Sequence, residues 1–182
     1  MSGSEGPVSL NPQGPVLADD RAARISAFVV RIAAGLLFAE NLSWKIPPHF
    51  GSDDGTGLYG QTALAVDYPV FGPLSSIVES VVLPNFGPFA WGVYLVEIGL
   101  AVFLILGLAT RFWAVVGVAQ ALAIYMIVGA SPNVWEWSYF LMMATLLAVF
   151  GTAAGRAGGL DAVVRRRVTG SSLAARVYRL SS

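Results

Sequence analysis

The chain has 182 residues, 55% hydrophobic and 12% charged, and its formal net charge is zero. Soluble domains carry about 25% charged residues, so this chain has too little polar surface to face water on every side, and its natural solvent is lipid. It has no cysteine and one histidine, His49, which excludes disulfides, thiolate iron–sulfur ligation, a thiol nucleophile and a histidine set for haem, zinc or another metal.

Residues 1–23 are rich in Ser, Gly, Pro, Asn and Gln without apolar periodicity, and read as a disordered cytoplasmic tail. They do not resemble a secretory signal, because the start is not basic and no apolar core begins near it. A membrane domain follows over residues 24–156. Its first span is expected at 25–43, long enough at about 1.5 Å per residue to cover most of a hydrocarbon core of about 30 Å. Pro47-Pro48 then bars further helix.

A long loop covers residues 46–87. After Pro73, the apolar residues Leu74, Ile77, Val78, Val81 and Val82 recur at helical spacing opposite Ser75, Ser76, Glu79 and Ser80. This predicts a short amphipathic helix with proline in its first turn. It would lie on the membrane or complete the fold, or shield a site as a lid. The second span is expected at 89–108, the third at 112–129 after a tight turn, and the fourth at 138–154. Along the fourth, Ala144, Ala148, Gly151 and Gly155 form a stripe of small residues, read as packing or lipid contact. The fold class is therefore an all-α membrane protein: a four-transmembrane-helix bundle with an amphipathic helix in the long extracytoplasmic loop. Residues 157–182 make a basic cytoplasmic tail with Arg165-Arg166-Arg167, suited to anionic lipid headgroups. A short basic tail on a neutral chain speaks against nucleic acid as a partner.

Charge sets the orientation. Under four spans Arg21, Arg24, Arg111, Arg156, Arg165, Arg166, Arg167, Arg176 and Arg179 fall on one side, whereas the other holds Lys45 with Asp53, Asp54, Asp67, Glu79 and Glu136. The positive-inside rule then puts both termini in the cytoplasm of a plasma (inner) membrane protein.

Within the spans, Arg31, Glu97 and Gln120 are expected to face the bundle interior, since a charge at mid-membrane costs at least about 2.5 kcal/mol. Glu97 and Gln120 are about equally deep on adjacent helices, and Arg31 lies a turn or more deeper, within reach of its long side chain. Glu40, nine residues from Arg31, points to the opposite face. Two readings stay open: a structural polar cluster with Glu97 and Arg31 coupled, or a pocket for a polar headgroup or proton path.

The pattern Arg31-x3-Gly35-x2-Phe38-x6-Lys45 resembles the opening signature of the DoxX/DoxD-type membrane proteins. Glu97 followed by Leu106-Gly107-Leu108-Ala109-Thr110-Arg111 is similar to that family's second-span pattern, and Gly155-Arg156 with Gly159-Leu160-Asp161 to its closing segment. The resemblance covers residues 24 to 165, departs at Leu42, where relatives often carry glycine, and looks closer to the DoxD side through Pro47-Pro48-His49-Phe50. It implies a four-helix fold and a subunit of thiosulfate:quinone oxidoreductase. A quinone site would have Glu40, Trp44, Lys45 and His49 at its edge and Glu97 and Gln120 deeper, and catalysis would need an oxidoreductase partner subunit. The alternatives are a non-catalytic scaffold tethering soluble redox enzymes, or a small-solute carrier working as an oligomer.

Overall fold

The computed structural model describes residues 21–132, 134–168 and 172–182. Most of the expected N-terminal tail lies outside them, and Arg21–Ala23 form the first turn of a helix rather than tail. Among the described residues all regular structure is helical. Four long helices are α1 (Arg21–Asn41), α4 (Phe86–Leu106), α5 (Thr110–Val128) and α6 (Glu136–Gly151). Between the first two lie α2 (Gly57–Asp67) and α3 (Gly72–Ile77), the latter running on as a π-helical turn over Val78–Val82. A 3-10 turn at Ala154–Arg156, α7 (Leu160–Arg167) and α8 (Leu173–Ser181) complete the chain.

The long helices pack as an antiparallel ring, α1 on α4, α4 on α5, α5 on α6 and α6 on α1. The core joins Ala34, Phe38, Leu100, Leu104, Leu146 and Val149. Small residues let the backbones close up: a Cβ on Gly35 would strike the Ile105 backbone and side chain, and one on Gly99 would strike the Trp113 ring. Large apolar side chains cover the outside, with Leu95 59% and Val115 54% exposed, an arrangement that needs lipid rather than water around it.

The observed helices begin and end one to four residues before the expected spans. Three of them, α1, α4 and α5, are long and apolar enough to cross a membrane, whereas the fourth, α6, is apolar but has only 16 residues. The stripe of Ala144, Ala148 and Gly151 faces outward, and Leu146 and Val149 are the residues of α6 that enter the core.

The long loop is more structured than its sequence suggests. Phe50 is buried with a left-handed backbone (φ 52°). Its ring meets Trp91 and Tyr94 edge-on at 5.3 and 5.6 Å, and a second small core of Phe50, Leu58, Phe86 and Ala90 ties the loop to α4. The α2 helix was missed by pattern reading, because Gly57 and Gly60 sit in its first turn and its apolar residues favour no single face. The expected helix after Pro73 exists as α3 and its π-helical extension, but its apolar face is not fully buried. Val78 is buried and Leu74 and Val82 are half-buried, while Ile77 and Val81 are 51% and 54% exposed.

At one end of the ring, the turn end, α4 passes into α5 through Gly107 (φ 66°) and Ala109 (φ 49°). The opposite end, where α1 finishes and α6 starts, carries α2 and α3 and is the loop end.

Candidate ligand cavity

The cavity is built on the last residue of α1 and the turns that follow it. After Asn41 the chain curls in tight turns, with Ser43 N–H donating to the Glu40 carbonyl (3.0 Å) and Lys45 N–H to that of Leu42 (3.1 Å). The curl sends Lys45 back over the helix end. Its Nζ donates to the Asn41 carbonyl at 2.9 Å and pairs with Glu97 Oε2 at 2.7 Å. Lys45 and Glu97 are 3% and 0% exposed.

Two amides complete the shell of Glu97. Asn41 Nδ2 donates to Oε1 at 3.1 Å and Gln120 Nε2 at 3.5 Å. Asn41 is itself held by Trp44, whose Nε1 donates to Asn41 Oδ1 at 3.0 Å, and the Trp44 ring lies 4.3 Å from the Lys45 ammonium. A buried ion pair survives only when its remaining donors and acceptors are satisfied, and here α1, α4, α5 and the post-α1 turn each contribute a partner. Among the described residues, two of the three ammonium donors of Lys45 are engaged.

This cluster forms one wall of a cavity of about 620 Å³. Phe38, Val93, Ile124, Ile127, Met142 and Leu146 make the rest largely apolar, Leu58 and Thr62 of α2 roof it, and Trp44 and Trp137 stand at its rim. Ligand sites are apolar hollows of about 300–1,000 Å³ with a few convergent polar groups. This hollow has that character.

The expected site residues separate into two groups. Glu97, Gln120, Lys45 and Trp44 come together at the cavity, with Lys45 buried as the direct counter-ion rather than standing at an outer edge. Glu40 is exposed outside it, and His49 is exposed with its Nδ1 3.4 Å from Asp53. The lid expected from the helix after Pro73 is absent from the lining, and α2 takes that position. Asn41, a direct partner of Glu97, was passed over. No periodicity could have placed it, because the helix ends at Asn41 itself.

Arg31 does not join Glu97. It is fully buried at the turn end, where its Nη1 donates to the carbonyls of Leu104 (2.6 Å) and Ile105 (2.8 Å) and its Nη2 to that of Ala157 (3.5 Å). The last carbonyls of a helix lack intrahelical partners and carry its negative dipole end, so the two terminal nitrogens of the guanidinium find acceptors there without a direct carboxylate contact. The complementary device is Asp161, buried at the start of α7. Its Oδ1 accepts from Ala109 N–H (2.8 Å) and from the Tyr178 hydroxyl (2.8 Å), and its Oδ2 from Thr110 N–H (3.0 Å). Burial and this carboxylate push the Tyr178 hydroxyl well above the ordinary tyrosine range.

Residues 50–181 match a family model described as TQO small subunit DoxD. No curated protein and no solved structure matches the chain. Glu97 and Gln120 fall inside the matched region, whereas Asn41, Trp44 and Lys45 fall before it.

Proposed function

This chain belongs to the DoxD family, and from that premise we propose that it is the membrane subunit of a thiosulfate:quinone oxidoreductase-type complex, with the cavity at Glu97 receiving a quinone headgroup. The observation that carries this reading is a buried ammonium–carboxylate pair exposed to a largely apolar hollow of about 620 Å³. A quinone is a flat apolar ring with two carbonyl acceptors, and when bound it supplies an acceptor for two electrons and two protons. Lys45 has one N–H left to give a carbonyl, and Gln120 can donate to it from the facing helix. Glu97 beside both is the group that holds or passes a proton, which supports a proton route from the headgroup toward the loop end. Phe38, Ile124 and Met142 exclude water from the ring.

The rest of the reading concerns the membrane. Four crossings, with α6 as the fourth, bring the arginines of the α4–α5 turn and of α7 and α8 to the cytoplasmic face of an inner membrane, in keeping with the positive-inside rule. The electron-carrying group is assigned to a partner subunit, in line with the family's description as a small subunit.

Titration of the purified protein with a quinone analogue tests the reading through the fluorescence of Trp44 and Trp137. Saturable quenching is expected, weakened about tenfold in Gln120→Leu, the loss expected for one hydrogen bond to the ligand. Absence of saturation, at concentrations that fill the quinone site of a control protein, would favour the scaffold reading, and co-purification of a soluble oxidoreductase would then identify what is tethered.

A further inference from the structure

Resting on the quinone reading of the cavity, we propose that its ligand enters sideways from the lipid through a seam between α1 and α6. The headgroup then lies against Lys45 and Gln120, and the apolar tail leaves between Leu37 and Leu141. Both leucines line the cavity, yet they are 60% and 57% exposed. The large apolar side chains that α2, α4 and α5 give to the same cavity, Leu58, Phe89, Val93, Ile124 and Ile127, are buried or half-buried. Of the large aliphatic side chains that line the cavity, the exposed two thus stand on α1 and α6.

The two leucines stand at matching depth. Leu37 is four residues from the end of α1 and Leu141 five from the start of α6, which sets both roughly 6–8 Å below the loop end. About one turn further toward the turn end, Ala34 and Leu146 are buried in the common core, so the seam is closed below. The roof helix α2 packs on α5 and α4 and leaves the α1–α6 flank uncovered. Trp44 and Trp137, 41% and 58% exposed, flank the top of the seam.

Polarity chooses the occupant. The donors and the carboxylate gather on the α4–α5 side and the post-α1 turn, while the seam offers leucine and tryptophan. A molecule seated across this gradient has a hydrogen-bonding head and a long hydrocarbon tail that stays in the bilayer. A ligand arriving from water would instead use the exposed polar lining residue of α2, Gln61.

Because the chain lacks cysteine, single cysteines at Leu37, Leu141, Gln61 and Val102 can be capped with a benzyl thiosulfonate after the full chain has been placed in lipid nanodiscs. Val102 is 43% exposed on α4 and does not line the cavity. Capping follows folding and is reversed by reductant, so misfolding cannot imitate blockage. Tryptophan quenching is read with a long-tailed quinone and with a tail-less quinone of the same ring. Adducts at positions 37 and 141 should weaken the long-tailed ligand about tenfold, the loss of burial of roughly two methylene groups, and the tail-less one less than about twofold. The adduct at position 102, outside the cavity, should change neither, and that at position 61 should not weaken the long-tailed ligand selectively over the tail-less one. Undiminished long-tailed binding with positions 37 and 141 capped would overturn the seam, as would blockage of both ligands by the adduct at position 61 alone. If neither quinone saturates in the uncapped protein, the quinone reading falls and the seam's assignment with it.

Discussion

At the scale of single residues, the fold turns on which charge answers which. Glu97 is answered by Lys45, and removing that ammonium leaves a carboxylate buried beside two amides. Lys45→Met is therefore expected to destabilise the protein by about 3–5 kcal/mol, and adding Glu97→Gln should recover part of the loss, because the orphaned charge then goes too. Unfolding in detergent, followed through a double-mutant cycle, reads the coupling directly. Arg31 has no share in it: Arg31→Met combined with Glu97→Gln should give additive losses, since the guanidinium serves the carbonyls of α4 and Ala157. The closeness of Glu97 and Gln120 was legible in the sequence, because equal depth on the two arms of a tight hairpin makes neighbours of them. The partner of Glu97 was not legible. Helical periodicity stops at Asn41, and nothing in residues 42–45 states how far the following turns fold Lys45 back.

At the scale of elements, the α4–α5 turn is held from both sides by opposite charges. Arg31 covers the carbonyl end of α4, and Asp161 covers the amide end of α5, including the N–H of Ala109 in its left-handed conformation. Asp161→Ala should cost about 1–2 kcal/mol as a lost cap, visible as faster hydrogen exchange at Thr110 and Arg111. Tyr178 fastens α8 to the same carboxylate, and its proton is held above the usual range. The folded state therefore keeps a proton that the unfolded chain gives up, and the stability due to this contact, complete below the ordinary tyrosine range of about pH 10, falls as pH rises beyond it. Tyr178→Phe should flatten that alkaline decline, measured as the mid-point of α8 release against pH. The apolar runs betrayed all four long helices, since length and composition alone define them. The α2 helix stayed hidden because its docking depends on Phe50 and Phe86, which no local pattern connects to it.

At the scale of the whole molecule, the number of crossings decides on which side the C-terminal arginines lie. Cysteines introduced at Asp53 and Ser172 are expected to react with an impermeant label from opposite faces of the membrane. Labelling from the same face would mean that α6 does not cross, since α1, α4 and α5 alone return Ser172 to the side of Asp53. Charge asymmetry is the sequence signal on which this expected orientation rests, whereas no sequence signal gives the depth of the cavity, because that depends on how the loop roofs the ring.

The shortness of α6 has a consequence for the bilayer itself. Its 16 residues span about 24 Å at 1.5 Å per residue, against a hydrocarbon thickness of about 30 Å, while the 21 residues of α4 reach across without strain. With α6 as the proposed fourth crossing, lipid beside it has to compress and lipid beside α4 does not, which gives the protein an uneven collar of thinned membrane. Mismatch costs fractions of a kcal/mol per ångström, enough to make thermal stability in vesicles rise as the acyl chains are shortened, and to give the protein a preference among membranes of different thickness.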